Sequence, residues 1–331
     1  MAINPSREQG VNKHRKTILI AIKIVVTAVL IGWLATKIDY PALSESFSLL
    51  NPLLLASAVG LHVLAFILGG LRWWVLLRHT HDRVNFYNVL PSYYLGLFFN
   101  NILPTGVGGD VIRTIHLNLR GLRAKDLIVS ALTDRIIGLM VVLLLGIGSI
   151  AFSPEVSLDS DTRVILAICF SAIMVGGLLM LSPRFIALIE SLQRRYQRNR
   201  VRGTLLDIIR LCYSYRSRPG LVLRALVLTL FMQSLVILVY YLLGSSIGIE
   251  LSAITYFGII PIVFIAANLP VSVGGLGVRE TALVALLAAA GIDTQRAIAL
   301  SLLYLLVLWI ASAPGAGVML LAKKNIVHQA P

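Results

Sequence analysis

The sequence predicts an all-α polytopic membrane protein made of two inverted repeats, each with three crossings and a re-entrant helix pair broken by proline and glycine. Three observations lead there. Of 331 residues, 57% are hydrophobic and 13% charged, with a mean hydropathy of +0.86, whereas a soluble domain carries about 25% charged residues. Several apolar runs reach the ~20 residues that cross ~30 Å of hydrocarbon. One phrase also occurs twice, 166 residues apart: Leu103-Pro104-Thr105-Gly106-Val107-Gly108-Gly109 leading to Arg113, and Leu269-Pro270-Val271-Ser272-Val273-Gly274-Gly275 leading to Arg279. Broken helices in matching positions of two halves are the signature of a mid-bilayer site.

The formal charge of +14 does not point to nucleic acid. In a membrane protein, excess Lys and Arg collect in cytoplasmic loops and meet an anionic membrane surface. Cys169 and Cys212 suggest neither a disulfide nor a metal framework.

The first crossing runs from Thr17 to Thr36 behind Lys13, Arg15 and Lys16, and emerges in a loop with Asp39 and Glu45. It is longer than a signal-peptide core and reads as an uncleaved helix. Asn51 to Leu77 returns, with Arg72, Trp73 and Trp74 as snorkelling and interfacial anchors. The first broken segment, Phe86 to Ile112, has basic residues on both flanks and enters and leaves by one face. Asp126 to Phe152 crosses outward to Glu155, Asp159 and Asp161. Arg163 to Ser182 opens the second half and returns inward. Arg184 to Arg224 holds ten Arg against Glu190 and Asp207 and reads as a basic cytoplasmic linker or interfacial helix. Val222 to Gly248 crosses outward, Leu251 to Ala290 carries the second broken segment, and Arg296 to Ala322 returns to Lys323 and Lys324.

The repeats are residues 1–166 and 167–331. Three crossings per half is an odd number, so the second copy is inverted. Loops assigned to the cytoplasm collect 22 of the 29 Lys plus Arg, which places both termini in the cytoplasm of a bacterial or archaeal cell (inner) membrane. An eight-crossing version, with the broken segments spanning fully, uses the same hydropathy.

Pro104 and Pro270 lack an N–H, and the glycines accept positive φ, so the helices break there and restart. Such a break in hydrocarbon must face protein or a wet cavity. Restarted helices at Gly108, Gly109, Gly274 and Gly275 aim N–H groups and dipoles at an anion, and Arg113 and Arg279, one turn in, can hold phosphate oxygens bidentately. Asn101 and Asn268 flank the breaks as substrate ligands or as partners of freed backbone groups. Asp110, Asp134, Arg135 and Glu280 are ionisable groups inside the membrane and therefore candidates for gating or proton coupling; pairing of Asp134 with an arginine of a broken segment is the structural alternative. His79-Thr80-His81-Asp82 reads as a solvated loop. No motif implies a catalytic residue, cofactor or metal.

Asn100-Asn101-Ile102-Leu103-Pro104 through Gly108-Gly109-Asp110 to Arg113, then Thr133-Asp134-Arg135 with Gly138, and Asn268-Leu269-Pro270 through Gly274-Gly275 and Gly277 to Arg279-Glu280 together resemble the lysylphosphatidylglycerol synthase transmembrane family, also called the flippase-like domain family. The similarity runs over essentially the whole chain. It implies a stand-alone transport half, without the aminoacyl-transfer domain of bifunctional members, so lysine transfer from tRNA is not expected. It also implies a non-enzymatic lipid transporter or flippase that binds the phosphate-bearing headgroup of an anionic or zwitterionic phospholipid, or of a polyprenyl-phosphate-linked glycolipid. The alternatives are an accessory or enzyme of lipid-linked glycan biosynthesis, and a non-transporting scaffold contacting envelope-biosynthesis proteins.

Overall fold

The computed structural model describes residues 21–103, 107–152, 213–268 and 271–327, with seven single positions between 164 and 191. Pro104, Thr105, Gly106, Leu269 and Pro270 lie outside the described residues. So do residues 1–20, most of the predicted crossing Arg163 to Ser182, and most of the Arg184 to Arg224 linker with Cys212. Among the described residues the secondary structure is helical, without strands.

Helix α1 (Ala21–Ala35) turns by 82° into α2 (Tyr40–Ser48). The stretch with Asp39 and Glu45 is thus a short helix rather than a loop. Pro41 presets the first turn, and burial of Leu43 fixes the helix against the bundle. Helix α3 (Pro52–Leu77) starts where the Asn51 side chain accepts from the N–H groups of Leu53 and Leu54 at 3.0 and 3.3 Å. Helices α4 (Phe86–Ile102) and α5 (Gly108–Asn118) flank the first proline-glycine phrase, and α6 (Ala124–Phe152) follows. After a 3₁₀ turn at Tyr215–Ser217 come α7 (Pro219–Ser246), α8 (Ala253–Asn268), α9 (Val278–Ala289), α10 (Thr294–Ser312) and α11 (Pro314–Val327). The second phrase lies between α8 and α9.

Four stretches are long and apolar enough to cross a membrane: Pro52–Leu77, Ala124–Gly146, Pro219–Ser246 and Thr294–Leu321, the last combining α10 and α11; the bent α1–α2 pair is a fifth candidate. Side chains such as Val29, Phe231 and Leu320 are more than 60% exposed, as expected where the solvent is lipid rather than water.

Helices α3 and α7 pack along their length in opposite directions. At one end the Asn51 N–H donates to Ser246 O at 2.9 Å, and at the other the Tyr215 hydroxyl donates to Leu76 O at 3.0 Å. The largest buried apolar cluster joins α7, α8, α9 and α10 to α2 and α3, with Tyr240 stacked on Tyr304 at 4.0 Å.

Arg72 and Trp73 do not act as interfacial anchors. Trp73 is fully buried and Arg72 is 6% exposed, because this face of α3 turns toward α6, where the Trp73 indole N–H reaches Ser130 Oγ at 3.2 Å. Trp74 is half-buried and donates to Val84 O at 2.8 Å.

Candidate functional site

The two phrases meet. A Cβ built on Gly274 would lie 3.5 Å from Asn100 O and 4.0 Å from Leu103 O, so the second phrase rests on the end of α4. Helix α1 holds the second phrase from another side, where the Thr27 hydroxyl accepts from the Val273 N–H at 2.8 Å. Gly274, Gly275 and Gly277 all take positive φ, +60°, +80° and +80°, which side chains rarely adopt. At Gly275 a Cβ would also press on Ala267 O at 2.7 Å.

Around this junction lies a cavity of about 650 Å³, bordered by α1, α3 to α8 and the second phrase. One wall is ionic and comes from the first half. Asp134 on α6 binds Arg72 Nε at 2.5 Å and Arg113 Nη2 at 3.1 Å. Asp110, in the first turn of α5, binds Arg113 Nη2 at 3.0 Å and the Nε of Arg135. The Arg113 guanidinium stacks 4.3 Å from the Trp73 ring centre and 5.3 Å from that of Tyr93, and its buried Nε–H has no partner among the described residues. Lys23 completes the wall. Among the described residues of this lining four cations stand against two carboxylates, and a low-dielectric setting strengthens the resulting positive potential.

Among the described residues the rest of the lining includes the uncharged Gln233 of α7, Asn268, Ser272, Gly274 and Gly275. The Asn268 amide N–H donates to Phe264 O at 2.8 Å, whereas Ser272 is 4% exposed with an Oγ that has no partner among the described residues.

Most of the residues expected at the site converge there: Arg113, Asp110, Asp134, Arg135, Asn268, Gly274 and Gly275 all line the cavity. Gly108 and Gly109 form the buried start of α5 behind it. The Gly109 N–H donates to Asn100 Oδ1 at 2.9 Å, so Asn100, one residue before the expected Asn101, serves this helix start. Asn101 donates instead to Ser312 Oγ at 3.0 Å, tying α4 to α10.

Arg279 and Glu280 do not line the cavity. Glu280 caps α9 by accepting from the Gly277 N–H at 2.6 Å, and it holds Arg279 at 2.6 Å; Arg279 lies 5.2 Å from the Tyr304 ring centre. Polar cavity residues that the sequence did not assign to the site include Arg72, read there as an anchor, with Lys23 and Gln233. Arg72 carried a signal, since a charge between Leu71 and Trp73 inside an apolar span is costly unless paired. At the far end of α3 the histidine loop is engaged: His81 Nε2 lies 3.1 Å from Asp126 and His79 Nε2 2.7 Å from Ser214 Oγ.

The chain is 26% identical over 316 residues to a UPF0104 membrane protein of Methanothermobacter thermautotrophicus, covering 88% of this chain and 89% of the relative. Residues 20–315 match the family described as the lysylphosphatidylglycerol synthase TM region. That match takes in every helix around the cavity, and this multi-pass membrane protein belongs to the lysylphosphatidylglycerol synthase TM family.

Proposed function

We propose that the protein carries a phosphate-bearing lipid headgroup between leaflets, with the acyl or prenyl tails left in the bilayer and no covalent chemistry. The observation that carries this is the cavity itself: about 650 Å³, bordered by both halves, with a cationic wall. A lipid phosphate brings the charge that this wall lacks, and guanidinium groups are suited to its oxygens. The enzyme alternative is disfavoured by the acids, because Asp110 and Asp134 are each held by two arginines, unlike a carboxylate poised for proton transfer.

Two architectural features belong to the proposal. Helices α4, α5, α8 and α9 have 17, 11, 16 and 12 residues; at ~1.5 Å per residue each falls short of ~30 Å of hydrocarbon, which supports re-entrant pairs. Helices α3 and α7 hold equivalent places before the two phrases and run antiparallel, which supports inverted repeats and alternating access by one repeat moving against the other. The basic end of α3 and α7 then faces the cytoplasm of a cell membrane.

Liposomes carrying the purified protein and an anionic lipid labelled on its acyl chain provide the test. Leaflet exchange, read by quenching the outer-leaflet label, is expected to accelerate well above protein-free liposomes. Lys23→Glu cancels the excess positive charge of the wall without breaking any ion pair seen among the described residues, and is expected to slow exchange about tenfold or more. No acceleration by the folded native protein overturns the proposal.

A further inference from the structure

The cavity is lined by both ion-paired cations and uncharged polar groups, a combination that selects among headgroups. The cations take the phosphate, leaving the uncharged groups for the rest of the headgroup. An ammonium group there needs a carboxylate, an aromatic face or several acceptors to replace its water. Among the described residues both carboxylates of the lining are already shared between arginines. The one aromatic ring of that lining, Tyr93, already has the Arg113 guanidinium 5.3 Å from its centre. The uncharged groups include the Gln233 amide, one turn along α7 from the Thr229 hydroxyl that accepts from Arg72 at 3.3 Å, and the buried Ser272 hydroxyl, which has no partner among the described residues. These are donor–acceptor groups suited to hydroxyls, and a site built to bond a hydroxyl rejects analogues without one because its buried polar groups are left unpaired.

We infer that the preferred cargo is a phospholipid whose phosphate bears a neutral, hydroxylated headgroup, such as a glycerol or a sugar, rather than an amine, with Ser272 and Gln233 as the residues that discriminate. This rests on the transport reading above but has its own readout in binding.

The experiment uses the full chain in bilayer discs containing equal phosphatidylglycerol and phosphatidylethanolamine, with soluble glycerol phosphate added, and identifies retained ligands by native mass spectrometry. Parallel liposomes report exchange of each lipid labelled on its acyl chain. The expected result is at least tenfold enrichment of bound phosphatidylglycerol and a similar preference in exchange. Ser272→Ala with Gln233→Leu is expected to reduce both preferences severalfold while circular dichroism and thermal midpoint stay near native.

Equal retention of the two lipids, or preference for the ethanolamine lipid, overturns the inference even if both lipids are exchanged. Retention of glycerol phosphate without lipid also overturns it. Selective binding without exchange upholds the headgroup preference and overturns the transport reading.

Discussion

Asp134 forms ion pairs with two arginines of different helices, Arg72 of α3 and Arg113 of α5, so one carboxylate joins a crossing helix to a restarted one. Breaking a buried pair leaves an uncompensated charge and typically costs about 3–5 kcal/mol. Arg72→Ala is therefore expected to destabilise by that order, and the Arg72→Ala, Asp134→Ala double variant by clearly less than the sum of the two singles. Detergent-solubilised unfolding in a double-mutant cycle measures this, and additive losses would mean that the pair is not coupled. Gly109 is a second sensitive position. A Cβ there would lie 2.0 Å from Gly96 O and 2.5 Å from the Asn100 amide. Because one obstacle is backbone, α4 and α5 must separate, and Gly109→Ala is expected to cost at least about 1–3 kcal/mol and to lower the thermal midpoint even though alanine favours helix.

At the scale of elements, matching positions along the two halves of the sequence carry different chemistry. Trp73 of α3 and Tyr240 of α7 both lie 21 residues after their helix's first proline; Asp134 of α6 and Tyr304 of α10 both lie ten residues after their helix's start. The first half thus surrounds its arginine with acids and an indole, and the second with phenol rings and the adjacent Glu280. This accounts for what the sequence made legible. The repeated phrase foretold a meeting of two broken segments, and the ion pair of Asp134 with a broken-segment arginine was foreseeable because a lone charge in a span is costly. The separate fates of Arg113 and Arg279 were not foreseeable, because they depend on how α9 is rotated about its axis. Hydropathy is likewise blind to whether Arg72 snorkels or turns inward. Glu280 supplies the element-scale prediction. Loss of a helix cap costs about 0.5–2 kcal/mol, and here it also strands Arg279, whose side chain is 13% exposed. Glu280→Ala is expected to lower stability by at least about 2 kcal/mol, whereas the pH profile of lipid exchange in the remaining folded protein stays unchanged. A shifted profile would make Glu280 a coupling residue instead of a cap.

For the whole molecule, the described contacts sort the loops into two ends. Asp39 N–H donates to Gln295 at 3.1 Å, and Arg296 donates to Gly248 O at 3.1 Å, so the α1–α2, α7–α8 and α9–α10 connections share one end. Arg218 lies 3.7 Å from Asp82, which puts the α3–α4 connection and the start of α7 at the other. Arg78, Arg83, Arg120 and Arg224 also belong to that second region, whereas the first carries Asp39, Glu250 and Asp293 with Lys37 and Arg296. Charge bias sets orientation through short loops near span ends, so the proposed topology expects the arginine-rich end in the cytoplasm. With Cys169 and Cys212 replaced by serine, single cysteines at Tyr40 and Glu250 are expected to react with a membrane-impermeant maleimide on intact cells. Cysteines at Arg83 and Ser217 are expected to react only after permeabilisation. Labelling of 40 and 83 from the same side would contradict a crossing by α3, and labelling of 83 but not 217 would contradict the antiparallel α3–α7 pair on which the inverted-repeat proposal rests. With the pattern as expected, the cavity lies between two oppositely oriented half-molecules, the arrangement in which a small rocking of one against the other exposes the same cationic wall to each leaflet in turn.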